Sequence, residues 1–252
     1  MRSAQPNGRA PVDRAFGILM AFPERGSVSL GELARRAGYP KTTVHDLLEP
    51  LIRIGAVERD GDLLRLGLLL FELGMRASGR PDLRAVALPH MQDLMTATGG
   101  TVHLAVRDRT DVVYLEKLVG GRPSPAPSVV GGRMPIHLSA VGKAILAFSA
   151  AEVVADVVEA DLEAATRSTI TRREDLLAEI GRVRSQGVAV DRGELRADLV
   201  CVGAPIRDGA GVAVAAISVA ARTGAVNLAL AAAKVRRTAA AVAEALARPV
   251  PS

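Results

Sequence analysis

Several residue types that serve nucleophilic chemistry fall in the second half of this chain. His137 stands two residues before Ser139, and Asp191 and the single cysteine, Cys201, follow. Acyl chemistry would need one of them activated, and the local sequence offers no means. Ser139 stands in Leu-Ser-Ala, not in the Gly-x-Ser-x-Gly turn that lifts a serine out of a sheet. Cys201 stands in the strand-like run Leu-Val-Cys-Val-Gly-Ala-Pro, not at a helix start that would lower its thiol pKa. His90 and His103 lack metal-ligand spacing. No enzyme activity, metal or cofactor is expected.

The densest signature is Gly131 to Ala144, GGRMPIHLSAVGKA. A Gly- and Pro-rich loop delivers the chain to Ser139, which caps a helix beginning at Ala140. Small residues at 139, 140 and 142 are expected to leave room beside that helix start. Free N–H groups and the positive end of the helix dipole would suit a carboxylate there. Taken alone, the same residues more readily describe a capped helix packed on a sheet with no ligand. His137 is expected to hydrogen-bond within the loop, and Lys143 to be a structural or interface charge.

A second set of polar residues lies near the N-terminus. Lys41, Thr42, Thr43 and His45 follow Pro40 at the start of a helix whose apolar positions are Val44, Leu47, Leu48 and Leu51. A shorter helix, Leu30–Ala37, precedes it. Ser29 is placed to cap that helix with Glu32 three residues on, and Gly38 stops it. Val57–Arg59 and Leu63–Leu66 flank Asp60-Gly61-Asp62, which reads as a hairpin. Helix, turn, helix and hairpin would put the first residues of the second helix at base edges in the major groove, with Arg59 and Arg65 on a wing near phosphate. On spacing alone a helical hairpin with solvated charges serves as well.

Around these sets, residues 1–11 read as a mobile tail, 12–66 as a winged helix-turn-helix, 67–80 as a linker helix and 81–252 as a second domain. That domain is expected to hold a helix over Leu83–Thr98 and strands Thr101–Arg107 and Val112–Leu118. A loop spans 119–131. Helices then follow from Ala140 and from Ala151, and a further one, capped by Thr171, over Glu174–Gln186. Strands Val188–Asp191, Leu199–Arg207 and Val212–Ala220 precede a closing helix to Ala247. Antiparallel hairpins with segregated helices argue an α+β fold.

Composition narrows the classes. A chain that is 49% hydrophobic and 23% charged can bury a core. One cysteine excludes an intramolecular disulfide and a Cys-based zinc cluster. The N-terminal run has no apolar signal-peptide core, and the apolar stretches are too short to span a bilayer, so a cytoplasmic protein is expected. The net charge of +5 admits nucleic acid as a partner but is not concentrated. Residues 1–66 carry ten Lys/Arg against eight Asp/Glu.

The segments VDRAFGILMAF, SLGELARRAGYPKTTVHDLLEPLIRIGAVER and RLGLLLFELG resemble the isocitrate-lyase-regulator (IclR) family of bacterial transcription regulators. So do TVHLAVRDRTDVVYLEKL, GGRMPIHLSAVGKAILAF, GVAVDRGEL and CVGAPIRD. The blocks run in order over about residues 12–247. The resemblance implies a winged helix-turn-helix on promoter DNA and a C-terminal α/β effector-binding domain, GAF-like, with a largely antiparallel sheet. It implies a repressor more often than an activator, a homodimer that often pairs into a dimer of dimers, and an organic acid or aromatic metabolite as effector. By the same resemblance the effector pocket would be lined by Ser139, Ala140, Asp191, Cys201 and Ser218. Two departures stand out. Asp46 occupies a place where the family usually has a basic residue, and a carboxylate is repelled by phosphates unless a cytosine amino group donates to it. Pro50 falls inside the second helix, where it is expected to remove a backbone bond and kink the helix.

Overall fold

The computed structural model describes residues 10–23, 26–77 and 83–248. The 1–11 tail therefore lies almost wholly outside the described residues. The chain divides into two compact units between Pro81 and Asp82.

The first unit opens with α1 (Pro11–Met20), in which Pro11 takes a first-turn position that needs no backbone N–H. A two-residue strand, β1 (Val28–Ser29), leads into α2 (Leu30–Ala37). Gly38 closes α2 in the left-handed conformation, φ +71°, which only glycine adopts without strain. Three residues later α3 (Lys41–Arg53) begins and runs through Pro50. The strands β2 (Val57–Asp60) and β3 (Leu63–Leu66) pair antiparallel, and β1 joins the free side of β3. The periodicity gives no sign of β1, because two residues cannot show an alternation. Ile18, Leu33, Val44, Leu48, Leu51, Val57 and Leu64 form the core, with Leu30 and Leu47 against its edge. A helix, α4 (Leu68–Ala77), follows.

The second unit begins with α5 (Leu83–Thr98). The strands are β4 (Thr101–Asp108), β5 (Asp111–Val119), β6 (Arg133–Pro135), β7 (Ala189–Arg192), β8 (Leu199–Arg207) and β9 (Ala213–Arg222). They form one antiparallel sheet in the order β6-β5-β4-β9-β8-β7. Its helices are α6 (Ala140–Ala147), α7 (Ala151–Glu159), α8 (Arg173–Gln186) and α9 (Leu228–Ala247). Val102, Leu104, Val202, Ile217 and Val219 pack on one side with Met91 of α5 and Val235 of α9. Ala105, Val112, Tyr114 and Ala216 pack on the other with Ile145 of α6 and Leu176 and Ile180 of α8. The central strands are buried on both faces, which hides their alternation. The arrangement is α+β, as the sequence suggests. Two details differ. The short strand β6 lies in what reads as loop, and α8 begins after Arg172 without a side-chain cap, so Thr171 does not cap it.

Candidate functional site

In the first unit the exposed face of α3 carries Lys41, Thr42, His45, Asp46, Glu49 and Arg53, while Thr43 is half-buried. No side chain caps α3, so its first amides remain available to an anion. Ser29 Oγ does cap α2, accepting from Glu32 N–H at 3.3 Å. The reciprocal half of a capping box is missing. The Glu32 carboxylate turns along the helix to Arg35 and Arg36 instead, because two guanidiniums one turn away outcompete one amide. The wing arginines are both engaged. Arg59 donates to Glu49 of α3 at 3.0 Å, and Arg65 donates to Glu58, its cross-strand neighbour, at 2.8 Å. Such exposed pairs are worth about 0–1 kcal/mol, so a phosphate can take either cation.

In the second unit the cross-strand register decides which polar groups meet. Asp191 lies opposite Cys201, and Cys201 opposite Ala220. Ser218 lies opposite Gly203 on one side and His103 on the other. Alternation puts Asp191, Cys201, Gly203, Ser218 and His103 on one face of the sheet. This is the face that α6 covers. A Cβ on Gly203 would stand 2.8 Å from the carbonyl of Ala140, so the helix start rests directly on the β8 backbone. Gly142 is equally confined, since a Cβ there would fall 1.9 Å from the Ile136 carbonyl. At residue 142 the expectation that a small residue leaves room beside the helix is therefore corrected. Gly142 is small so that backbone can pack on backbone.

Ser139 caps α6, its Oγ accepting from Gly142 N–H at 3.1 Å, and the Lys143 N–H donates to the Ser139 carbonyl. The amides of Ala140 and Val141 have no hydrogen-bond partner among the described residues. Asp191 is fully buried. Its Oδ1 accepts from Glu194 N–H at 2.7 Å, and its Oδ2 has no partner among the described residues. Burial raises the pKa of this carboxyl, against the pull of the backbone amides and of Lys143. Burial, and then Asp191, also push the Cys201 thiol well above its usual range, so it is an uncharged, weak donor rather than a nucleophile. The residue as a whole is nonetheless only partly buried.

Three groups near this face are not apparent from spacing. Tyr114 of β5 is buried with its hydroxyl held above its usual pKa by burial and by Cys201 and Asp191, while a hydrogen bond with Ser139 acts the other way. His103 is 3% exposed, and its Nε2 lies 2.7 Å from Ser128 Oγ on the segment that follows β5. Burial, with the charge of Lys117, holds this imidazole down at about 3, so it is neutral at physiological pH. Alternation within β4 and β5 is the available signal, but it does not say which face meets α6. The third group is Glu194. Lys143 on α6, with no exposed surface, donates to both Glu194 oxygens, at 2.5 and 2.6 Å, and to the Val190 carbonyl at 2.9 Å. Glu179 of α8 stands 3.3 Å away. The charge of Lys143 is structural and clamps the turn that carries Asp191 to the helix that carries Ser139. His137 turns away, its Nε2 within 3.1 Å of the Glu163 carbonyl, so its bond leaves the loop in which it was expected. A cavity of about 430 Å³ lies elsewhere, between α9 and the β8–β9 turn, lined by Arg207, Asp208, Arg236 and Glu244 among others. None of the five expected pocket residues lines it.

Residues 11–61 match the IclR helix-turn-helix domain, and residues 75–247 match the bacterial transcriptional regulator IclR C-terminal domain. The chain is 34% identical over 218 residues to the HTH-type transcriptional regulator KdgR of Escherichia coli, covering 85% of this chain and 83% of that one. It is 32% identical to the HTH-type transcriptional repressor AllR of Salmonella typhi, covering 84% and 79%. Among solved structures it is similar to an IclR homolog from Microbacterium hydrocarbonoxydans complexed with 4-hydroxybenzoate. That match has a TM-score of 0.86 at 28% identity and covers 94% of this chain and 99% of that one. The Thermotoga maritima IclR superposes with a TM-score of 0.77, also at 28% identity, covering 94% and 98%. These relatives are transcriptional regulators, not enzymes.

Proposed function

The chain belongs to the IclR family of bacterial transcriptional regulators, with a DNA-binding helix-turn-helix at its N-terminus, and from that premise we propose a repressor released or tightened by a small organic acid. The observation that carries the ligand reading is the buried Asp191 Oδ2. A polar atom sealed in without a partner costs about 1–3 kcal/mol, and a ligand hydroxyl would recover it. The open amides of Ala140 and Val141 favour an anionic or carbonyl oxygen at the ligand's other end, and each charge-assisted bond there contributes about 1.5–3 kcal/mol. Ser139, Ala140, Asp191, Cys201 and Ser218 then line the pocket, with Tyr114 beside them. A hydroxy acid fits this pattern, and a keto acid fits it with Asp191 protonated and donating, both better than a dicarboxylate, which an ionised Asp191 would repel. The 4-hydroxybenzoate bound to the Microbacterium homolog is of this type.

On the DNA side, Lys41, Thr42, Thr43 and His45 reach into the major groove, and Arg59 and Arg65 reach phosphates. The protein acts in the cytoplasm on double-stranded promoter DNA, as a homodimer that pairs into a dimer of dimers. Exposed Val12, Phe16 and Met20 on α1 and Leu68 and Phe71 on α4 support self-association, since large apolar side chains are left open there. Residues 67–80 serve as the linker through which effector binding changes DNA affinity, by reciprocal linkage.

Calorimetry with small hydroxy and keto acids, their des-hydroxy counterparts and neutral aromatics tests the pocket. Hydroxy or keto acids bind, and Ala140→Pro abolishes that binding without unfolding the domain. Proline suits the first helical position, and Ser139 is already extended. Binding of neutral aromatics with an affinity that Ala140→Pro leaves unchanged would show that the helix-start anchor is wrong.

A further inference from the structure

On α3, Thr42, Asp46, Glu49 and Arg53 succeed one another at intervals of three or four residues and form the middle of the exposed stripe, opposite buried Val44, Leu48 and Leu51. Asp46 is its most open carboxylate, with 82% of the side chain exposed. In the chain without DNA the neighbouring carboxylates are neutralised. Glu49 is held by Arg59 and Glu58 by Arg65. Among the described residues Asp46 has only the His45 ring, 3.7 Å away, which is charged only when protonated. Nor does Asp46 complement the helix dipole, because it stands beyond the first turn, which holds no acidic residue. An uncompensated negative charge therefore sits in the centre of the surface that meets a polyanion.

A carboxylate only accepts hydrogen bonds. In the major groove guanine and thymine present acceptors to it, and adenine presents an acceptor, N7, beside its amino group. Cytosine presents the N4 amino donor with no acceptor beside it. Asp46 lies in the second turn of α3, within the N-terminal part of a recognition helix that reaches base edges. We infer that Asp46 is a specificity residue that reads a cytosine in each operator half-site. The inference rests on the reading that α3 enters the major groove. The carboxylate contributes by attraction to cytosine and by repulsion of the acceptor-bearing bases, so it sharpens selectivity while lowering affinity for DNA in general.

The test is selection of bound duplexes from a randomised library with the full chain, wild type and Asp46→Asn and Asp46→Ala variants, followed by sequencing and titration. The wild type enriches sites with an invariant C·G pair in each half-site. Replacing that pair weakens wild-type binding about 5- to 150-fold, the range of a good base contact. Asp46→Asn moves the preference at that position from cytosine towards adenine, because an amide accepts from the adenine amino group and donates to N7 as a bidentate partner. Asp46→Ala abolishes the preference there and leaves the rest of the site unchanged. Both variants bind random duplex more tightly than the wild type, an effect that a purely structural role would not produce. A sharp wild-type site that both variants reproduce would overturn the inference while leaving α3 in the groove. A wild-type chain that enriches no sequence would overturn the groove reading itself, and this inference with it.

Discussion

Lys143→Met removes the buried cation that joins α6 to the 191–194 turn and keeps a side chain of similar length. The main loser is Glu194, whose two carboxylate oxygens both lie on Lys143, at 2.5 and 2.6 Å. Glu179 keeps Arg182 at 2.5 Å. Breaking a buried pair by deleting one partner costs about 3–5 kcal/mol. Glu194 can escape by taking up a proton, which from an ordinary glutamate pKa of about 4.3 costs about 3.7 kcal/mol at about pH 7, so the loss is capped near that value. At about pH 5 the same escape costs only about 1 kcal/mol. The sign follows from the folded state. Burial already raises the Glu194 pKa, and losing Lys143 raises it further. A group whose folded pKa exceeds its unfolded one loses stability as pH rises through that range, so the deficit of the variant grows from pH 5 to pH 7. Scanning calorimetry of the full chain, following the transition of the C-terminal unit, reads it as a fall of about 6–15 °C at about pH 7 and of about 2–4 °C at about pH 5. Adding Glu194→Gln to the variant recovers most of the loss at the higher pH. A deficit that is equal at the two pH values, or a double variant no better than the single one, would refute the assignment of Lys143 as a charge clamp.

Gly142→Ala is expected to destabilise the C-terminal unit by at least the 1–3 kcal/mol of a typical overpacked site, because its Cβ would meet the Ile136 carbonyl, which is backbone and cannot swing away; thermal melts measure it. Thr43→Ala should weaken specific binding by about 1–3 kcal/mol more than nonspecific binding if Thr43 makes a base contact, and equal losses on specific and random DNA would reject that role, a live outcome given its half-buried position. Arg59→Ala or Arg65→Ala should lower the salt slope of log K by about one unit for each phosphate that the arginine neutralises, and an unchanged slope for both would show that the wing does not touch the backbone of the duplex.

The local features of both units are legible in the residues themselves. The stripe Val44, Leu47, Leu48 and Leu51, the glycine that ends α2, the Asp-Gly hairpin and the Ser139 cap each depend on residues within one or two turns of each other. Residue type and spacing determine them directly. The departures share a different cause. Whether Tyr114 and His103 face α6 depends on strand register, and a slip of one residue would turn each to the opposite side. Lys143 and Glu194 lie 51 residues apart, and Arg59 and Glu49 lie 10 apart, so only the packing of α6 on the sheet and of the wing on α3 shows which charges are spent. That accounting leaves Asp46 open to solvent and Asp191 Oδ2 unpartnered inside. Sequence also places small residues around the start of α6, but their purpose is decided by the fold. Backbone meets backbone at Gly142 and Gly203, a contact between segments that no local pattern encodes.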